Sequence, residues 1–159
     1  VLKITLLTQA IAGGEPMLSP SLEDYLEEIY RFSVSNDTVR VTDISQKLNV
    51  KLPSVTKALG KLRAGGYITY QKYGIIGLTE KGRQTGGYLV ERNTLLQEFL
   101  RIIWSDCDVA AEAEAMEHYL SKSTIASIQR LMVFMKNNPE VYQRFVDYVR
   151  ETKKKDKEK

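Results

Sequence analysis

The chain has 159 residues, 43% of them hydrophobic and 27% charged, which is the balance of a soluble globular protein with room for one ordinary domain or two small ones. Its formal charge of +3 and pI near 8.9 arise at one end, where Lys153–Lys159 sets five lysines against Asp156 and Glu158, so the body is near neutral and global charge does not argue for nucleic acid. A single cysteine excludes an internal disulfide framework, and no apolar run reaches the roughly 18 residues of a membrane span; a cytoplasmic protein without a membrane partner is expected.

The first sixteen residues loosely imitate a signal peptide, but Thr8 and Gln9 interrupt their apolar run. With Met17 standing just before the first convincing helix, residues 1–16 are expected to be an extension, disordered or artefactual. Ser19-Pro20-Ser21 opens that helix, with a serine as N-cap and Pro20 in the first turn. Leu22, Tyr25, Leu26 and Ile29 then repeat at i, i+3, i+4, i+7, which leaves Asp24, Glu27 and Glu28 off the core face. After a polar stretch, Val39–Val41 is extended and Thr42 is the expected cap of a short second helix with Ile44 and Leu48 inward. Asn49 can take the left-handed conformation that ends it.

A third helix follows closely, around Pro53–Arg63, with Val55, Leu59 and Leu62 inward and Gly65-Gly66 as its stop. Two short helices across a tight turn form a helix-turn-helix. Tyr67–Tyr70 and Ile75–Leu78 read as two strands of a hairpin with Lys72 at its tip, which completes a winged helix. A long helix capped by Thr79 runs to about Ile103. Gly82, Gly86 and Gly87 weaken its start by about 1 kcal/mol each against alanine, a cost consistent with either close packing or a bend. Ser105–Asp108 breaks the chain before another helix, Ser123 or Thr124 caps the next, and Pro139 opens the last. The fold class is therefore mainly α: a winged helix-turn-helix with a small β-hairpin wing, followed by helices alone.

Two sets of side chains carry chemistry. On the third helix Ser54, Thr56, Lys57, Lys61 and Arg63 lie off the apolar face. Small polar groups and cations are what base edges and phosphates require, so Ser54, Thr56 and Lys57, just past the turn, are candidates for bases, and Lys61, Arg63, Arg40 and Lys72 for phosphates. The second set combines Asp24 and Glu27 with Glu114, Glu117 and His118, the last being the only histidine. Helical spacing puts Glu114, Glu117 and His118 on one face, and Asp24 and Glu27 on another. Oxygen donors with one imidazole suit manganese or iron(II) rather than structural zinc, which would want thiolates. Acidic residues at such spacing are also common as a solvated face, so the motif alone leaves both readings open.

The chain resembles the diphtheria-toxin-repressor-like metalloregulators, in particular their short manganese-responsive branch. The resemblance covers roughly residues 19–150 and rests on Ser21-Leu-Glu-Asp-Tyr-Leu-Glu-Glu-Ile-Tyr30, Val41-Thr-Asp-Ile-Ser45, Pro53-Ser-Val-Thr-Lys57, Gly77-Leu-Thr-Glu-Lys-Gly82, Leu95–Ile103 and Glu114-Ala-Met-Glu-His-Tyr-Leu-Ser121. It implies a homodimer that reads double-stranded operator DNA, with manganese or iron(II) as corepressor, and it implies a repressor of metal-uptake genes with no organic cofactor and no enzymatic activity. By motif match the ligands would be Asp24, Glu27, Glu114, Glu117 and His118. On this basis residues 17–87 form the DNA-binding domain, 88–152 the helical metal-binding and dimerisation domain, and 153–159 a basic tail. One departure stands out: where the family usually has histidine in the long helix, this chain has Asn93. A neutral amide oxygen is a weaker donor than imidazole, so a strong site near Asp24, Glu114, Glu117 and His118 is expected, with any second one leaning on Glu27 and Asn93. Two other classes compete: a metal-independent winged-helix regulator whose metal site has decayed, and a metal-dependent hydrolase. Against the hydrolase stand a single histidine and the lack of a candidate nucleophile.

Overall fold

The computed structural model describes residues 18–35, 38–70 and 74–157. Residues 1–16 and Lys72 lie outside this set. The chain divides into two compact units with the boundary between Glu91 and Arg92. The described residues form seven helices and three short strands.

In the first unit, α1 (Pro20–Ser35) starts on the Ser19 carbonyl, which accepts from the backbone of Leu22 and Glu23. Pro20 sits at the first helical position, where its missing N–H costs nothing. Leu26 and Ile29 are fully buried, as their spacing requires. Glu27 is buried as well, at 7% exposure, although the sequence pattern placed it off the core face. Its carboxylate accepts from both Nε and Nη2 of Arg31, one turn on, and that paired charge is what makes burial tolerable.

Strand β1 (Val39–Arg40) leads into α2 (Val41–Lys47). The N-cap is Arg40 and not Thr42: the Arg40 backbone N–H donates to Asp43 Oδ2 at 2.9 Å, which anchors the first turn from inside the helix. Asn49, with φ 51°, ends α2 in the left-handed region as expected. Helix α3 (Leu52–Ala64) buries Val55, Ala58, Leu59 and Leu62 and finishes at Gly65. Gly66, at φ 74°, then turns the chain into β2 (Ile68–Tyr70). The third strand, β3 (Ile75–Leu78), lies in the middle of an antiparallel sheet of order β1-β3-β2, with Val39 opposite Ile76 and Thr69 opposite Gly77. A continuous apolar core joins α1, α2, α3 and the sheet through Leu26, Ile29, Ile44, Val55, Leu62 and Ile76.

Helix α4 (Glu80–Ile102) begins where Thr79 Oγ1 accepts from the Gly82 backbone at 3.0 Å. Of the two roles open to its glycines, close packing is the one found. A Cβ at position 82 would stand 1.9 Å from the Tyr67 carbonyl oxygen, and one at 86 would stand 2.7 Å from Tyr30 Cβ. The helix continues without a break through Ile102.

The second unit takes over at Arg92. Here α4 buries Leu95, Leu96 and Leu100, α5 (Val109–Glu117) buries Ala113, α6 (Lys122–Asn137) buries Ile125 and Met132, and α7 (Pro139–Lys157) buries Val146. Asp108 caps α5, accepting from the backbone of Ala110 and Ala111. Ser121 caps α6, ahead of both expected candidates, Ser123 and Thr124, because its hydroxyl is the one that reaches the Thr124 N–H. Between α4 and α5, Trp104 adopts φ 57°. The last helix holds that corner: Lys153 Nζ donates to the Trp104 carbonyl at 2.9 Å and to Asp106 at 2.7 Å, while the Arg150 guanidinium lies 5.1 Å from the centroid of the indole. The start of the basic tail is therefore an anchored part of α7.

Candidate metal centre and DNA-reading face

On α3 the apolar residues at 55, 58, 59 and 62 turn inward, so Ser54, Thr56, Lys57, Lys61 and Arg63 are all exposed together. Thr56 Oγ1 donates to the Leu52 carbonyl at 3.0 Å, a bond one turn back along the helix that leaves the residue exposed. Arg40 is exposed at the end of β1, beside the start of α2. The helix thus presents hydroxyl groups first and cations toward its C-terminal end, where Lys61 and Arg63 also complement the helix dipole. Such a surface can donate to phosphates and base edges without rearrangement.

The acidic residues of α5 do not share one environment. Glu114 is exposed, Glu117 is buried to 3%, and His118 is half-buried at the C-cap. The first unit shows the same division, with Asp24 half-buried and Glu27 buried. Glu117 is the best defined. Its Oε2 accepts from Asn93 Nδ2 at 3.2 Å and stands 3.7 Å from Arg92 Nε, while its Oε1 lies 3.8 Å from His118 Nε2. A carboxylate this far from water needs neighbouring positive or donor groups, and Arg92 and Asn93 provide them. The donor types fit a hard or borderline divalent cation: carboxylate oxygen, imidazole nitrogen and no thiolate, since Cys107 is half-buried and outside the set.

Four participants were missed in the sequence. Arg31, Arg92, Gln97 and Arg101 are cations or amides whose roles depend on partners. The i, i+4 spacings of Glu27 with Arg31, Asn93 with Gln97, and Gln97 with Arg101 were legible signals; the approach of Arg92 and Asn93 to Glu117, 25 and 24 positions away, was not.

Comparison with known proteins agrees with both halves of this description. Residues 17–76 match the iron dependent repressor N-terminal DNA binding domain, and residues 79–145 match the iron dependent repressor metal binding and dimerisation domain. The HTH-type transcriptional regulator MntR of Lysinibacillus sphaericus is 40% identical over 126 residues, covering 79% of this chain and 91% of its own length. That of Bacillus pumilus is 41% identical over 125 residues, covering 78% of this chain and 87% of its own length. Among solved structures, the manganese regulator SloR superposes with a TM-score of 0.65 at 25% identity, covering 74% of this chain and 55% of that one. A manganese-dependent transcriptional repressor in complex with manganese gives 0.65 at 28%, covering 71% and 53%. The chain thus spans about half the length of these two solved structures but nearly all of the MntR relatives. Among the described residues no helix is long and apolar enough to cross a membrane. With an exposed reading helix, a buried Glu117 beside a half-buried His118 and a relative of this identity matched over nine-tenths of its length, the chain belongs to the iron-dependent repressor family, whose members are transcriptional regulators and not enzymes.

Proposed function

We propose that this chain is a cytoplasmic repressor that binds operator DNA as a homodimer, with manganese or iron(II) as corepressor. The observation that carries the reading is the Glu117 carboxylate, buried beside His118 in a chain that also presents an exposed polar and basic α3. Asp24, Glu27, Glu114, Glu117 and His118 are the proposed ligands. Bound by them, the cation supplies positive charge that offsets their mutual repulsion. The chain's own part is conformational: ligands contributed by α1 and α5 couple metal occupancy to the geometry of the reading head, which shifts a population toward the DNA-competent state. Ser54, Thr56 and Lys57 then contact bases, and Lys61, Arg63, Arg40 and Lys72 contact phosphates. Leu131 and Phe134, three residues apart on α6 and exposed at 43% and 51%, are offered as part of the surface that a second copy covers.

The test is fluorescence anisotropy on a duplex selected by the protein from a random pool, in a strong chelator and then with manganese(II) added. Affinity is expected to rise at least 100-fold with metal, and Glu117→Ala is expected to abolish the rise. Operator affinity indifferent to both manganese(II) and iron(II) sinks the corepressor reading.

A further inference from the structure

Resting on the metal reading above, the inference concerns Asn93. The geometry points to Asn93 as a positioning residue for Glu117 and not as a metal ligand, held in that role by a one-way relay from Arg101 through Gln97. Arg101 Nη2 donates to Gln97 Oε1 at 3.0 Å, Gln97 Nε2 donates to Asn93 Oδ1 at 2.8 Å, and Asn93 Nδ2 donates to Glu117 Oε2 at 3.2 Å. The sense of this relay is fixed at its Arg101 end. A guanidinium has only donors, so Gln97 turns its oxygen to Arg101 and its NH2 to Asn93, and Asn93 in turn directs its NH2 to Glu117. Reversing Asn93 would set its oxygen against the Glu117 carboxylate and its NH2 against the Gln97 NH2, two repulsions at buried or half-buried positions where neither is screened.

The consequence for metal follows from where the amide oxygen is. It faces Gln97, along α4, while the nitrogen faces the proposed ligand. A second cation leaning on Asn93 would meet an N–H donor, which cannot coordinate it. Glu27, the other residue on which such a cation would lean, already has its charge met by Arg31. This chain therefore takes one cation per protomer, and position 93 orients a ligand by hydrogen bonding, the kind of outer support that commonly carries tenfold or more in metal affinity.

The test counts manganese(II) bound to the full chain by electron paramagnetic resonance of the free ion, for wild type, Gln97→Leu and Arg101→Met. Wild type is expected to bind one equivalent. Gln97→Leu, which removes a group that touches no ligand in the proposed set, is expected to keep that stoichiometry and weaken binding about tenfold. Arg101→Met, at an exposed position that does not endanger folding, is expected to weaken it about two- to threefold. Apo melting temperatures check that each variant is folded. Two equivalents in wild type, or wild-type affinity in both variants, overturns the inference while leaving the metal reading intact. No manganese(II) bound by wild type overturns both.

Discussion

The two units solve different problems with similar numbers of helices. In the first, apolar side chains from three helices and a sheet close on one another, and most polar side chains point out or cap a turn. In the second, Arg92, Asn93 and Glu117 are buried together, while Tyr119, Leu131, Phe134 and Tyr148 are exposed. Burying a charge cluster and exposing aromatic surface both cost stability in an isolated protomer. A unit built this way gains most from what it binds; the first unit shares the trait only in part, burying Glu27 and exposing Val34, Leu52 and Tyr70. The contrast separates a part with a continuous apolar core from a part whose stability answers to its partners.

Leu62→Ala strikes the reading head at a fully buried position and is expected to cost about 2–5 kcal/mol. Thermal unfolding followed by circular dichroism should show it, and manganese(II) affinity of the folded fraction should be unchanged; a loss of both would mean that the two units are not separable in this way. Manganese(II) at 100 times its Kd is expected to stabilise the protein by about 2.7 kcal/mol. In hydrogen exchange the protection should concentrate on α5 and the second half of α4, with α2 and α3 little altered. The smallest effect tests the corner of the second unit. Asp106→Ala removes the carboxylate that Lys153 meets at 2.7 Å, but with the carboxylate side chain 83% exposed the expected loss is about 0–1 kcal/mol. A larger drop in melting temperature would show that α7 holds Trp104 through this pair and not through the Lys153 contact to the backbone.

Much of this was legible because it is local. Ile44, Val55, Leu59 and Leu62 announce their helices by spacing, Asn49 and Gly66 announce the turns, and Thr79 announces the start of α4. What was misread depends on geometry at the scale of one bond. Thr42 has the right chemistry for a cap, but Asp43 reaches the free N–H first. Ser121, Ser123 and Thr124 are equivalent in type, and only the path of the backbone selects Ser121. Glu27 lies off the core face by the spacing of Leu22, Tyr25, Leu26 and Ile29, yet it is buried, with Arg31 meeting its charge. The metal-ligand candidates were visible as residue types, but that Glu117 is buried while Glu114 is exposed, and that Asn93 offers its nitrogen and not its oxygen, depends on contacts between distant parts of the chain.

The glycine contacts at the start of α4 have a further consequence for rotational phase. Gly82 and Gly86 sit one turn apart against Tyr67 and Tyr30, and at about 100° per residue their face of the helix passes through Leu89. Nothing larger than hydrogen fits at these two positions, so the first turns of α4 have one rotational setting about the helix axis, as a keyed shaft has. That setting turns Leu89, two turns on from Gly82 and in the same unit, into the apolar core, so the register of a helix is decided by the lack of two side chains.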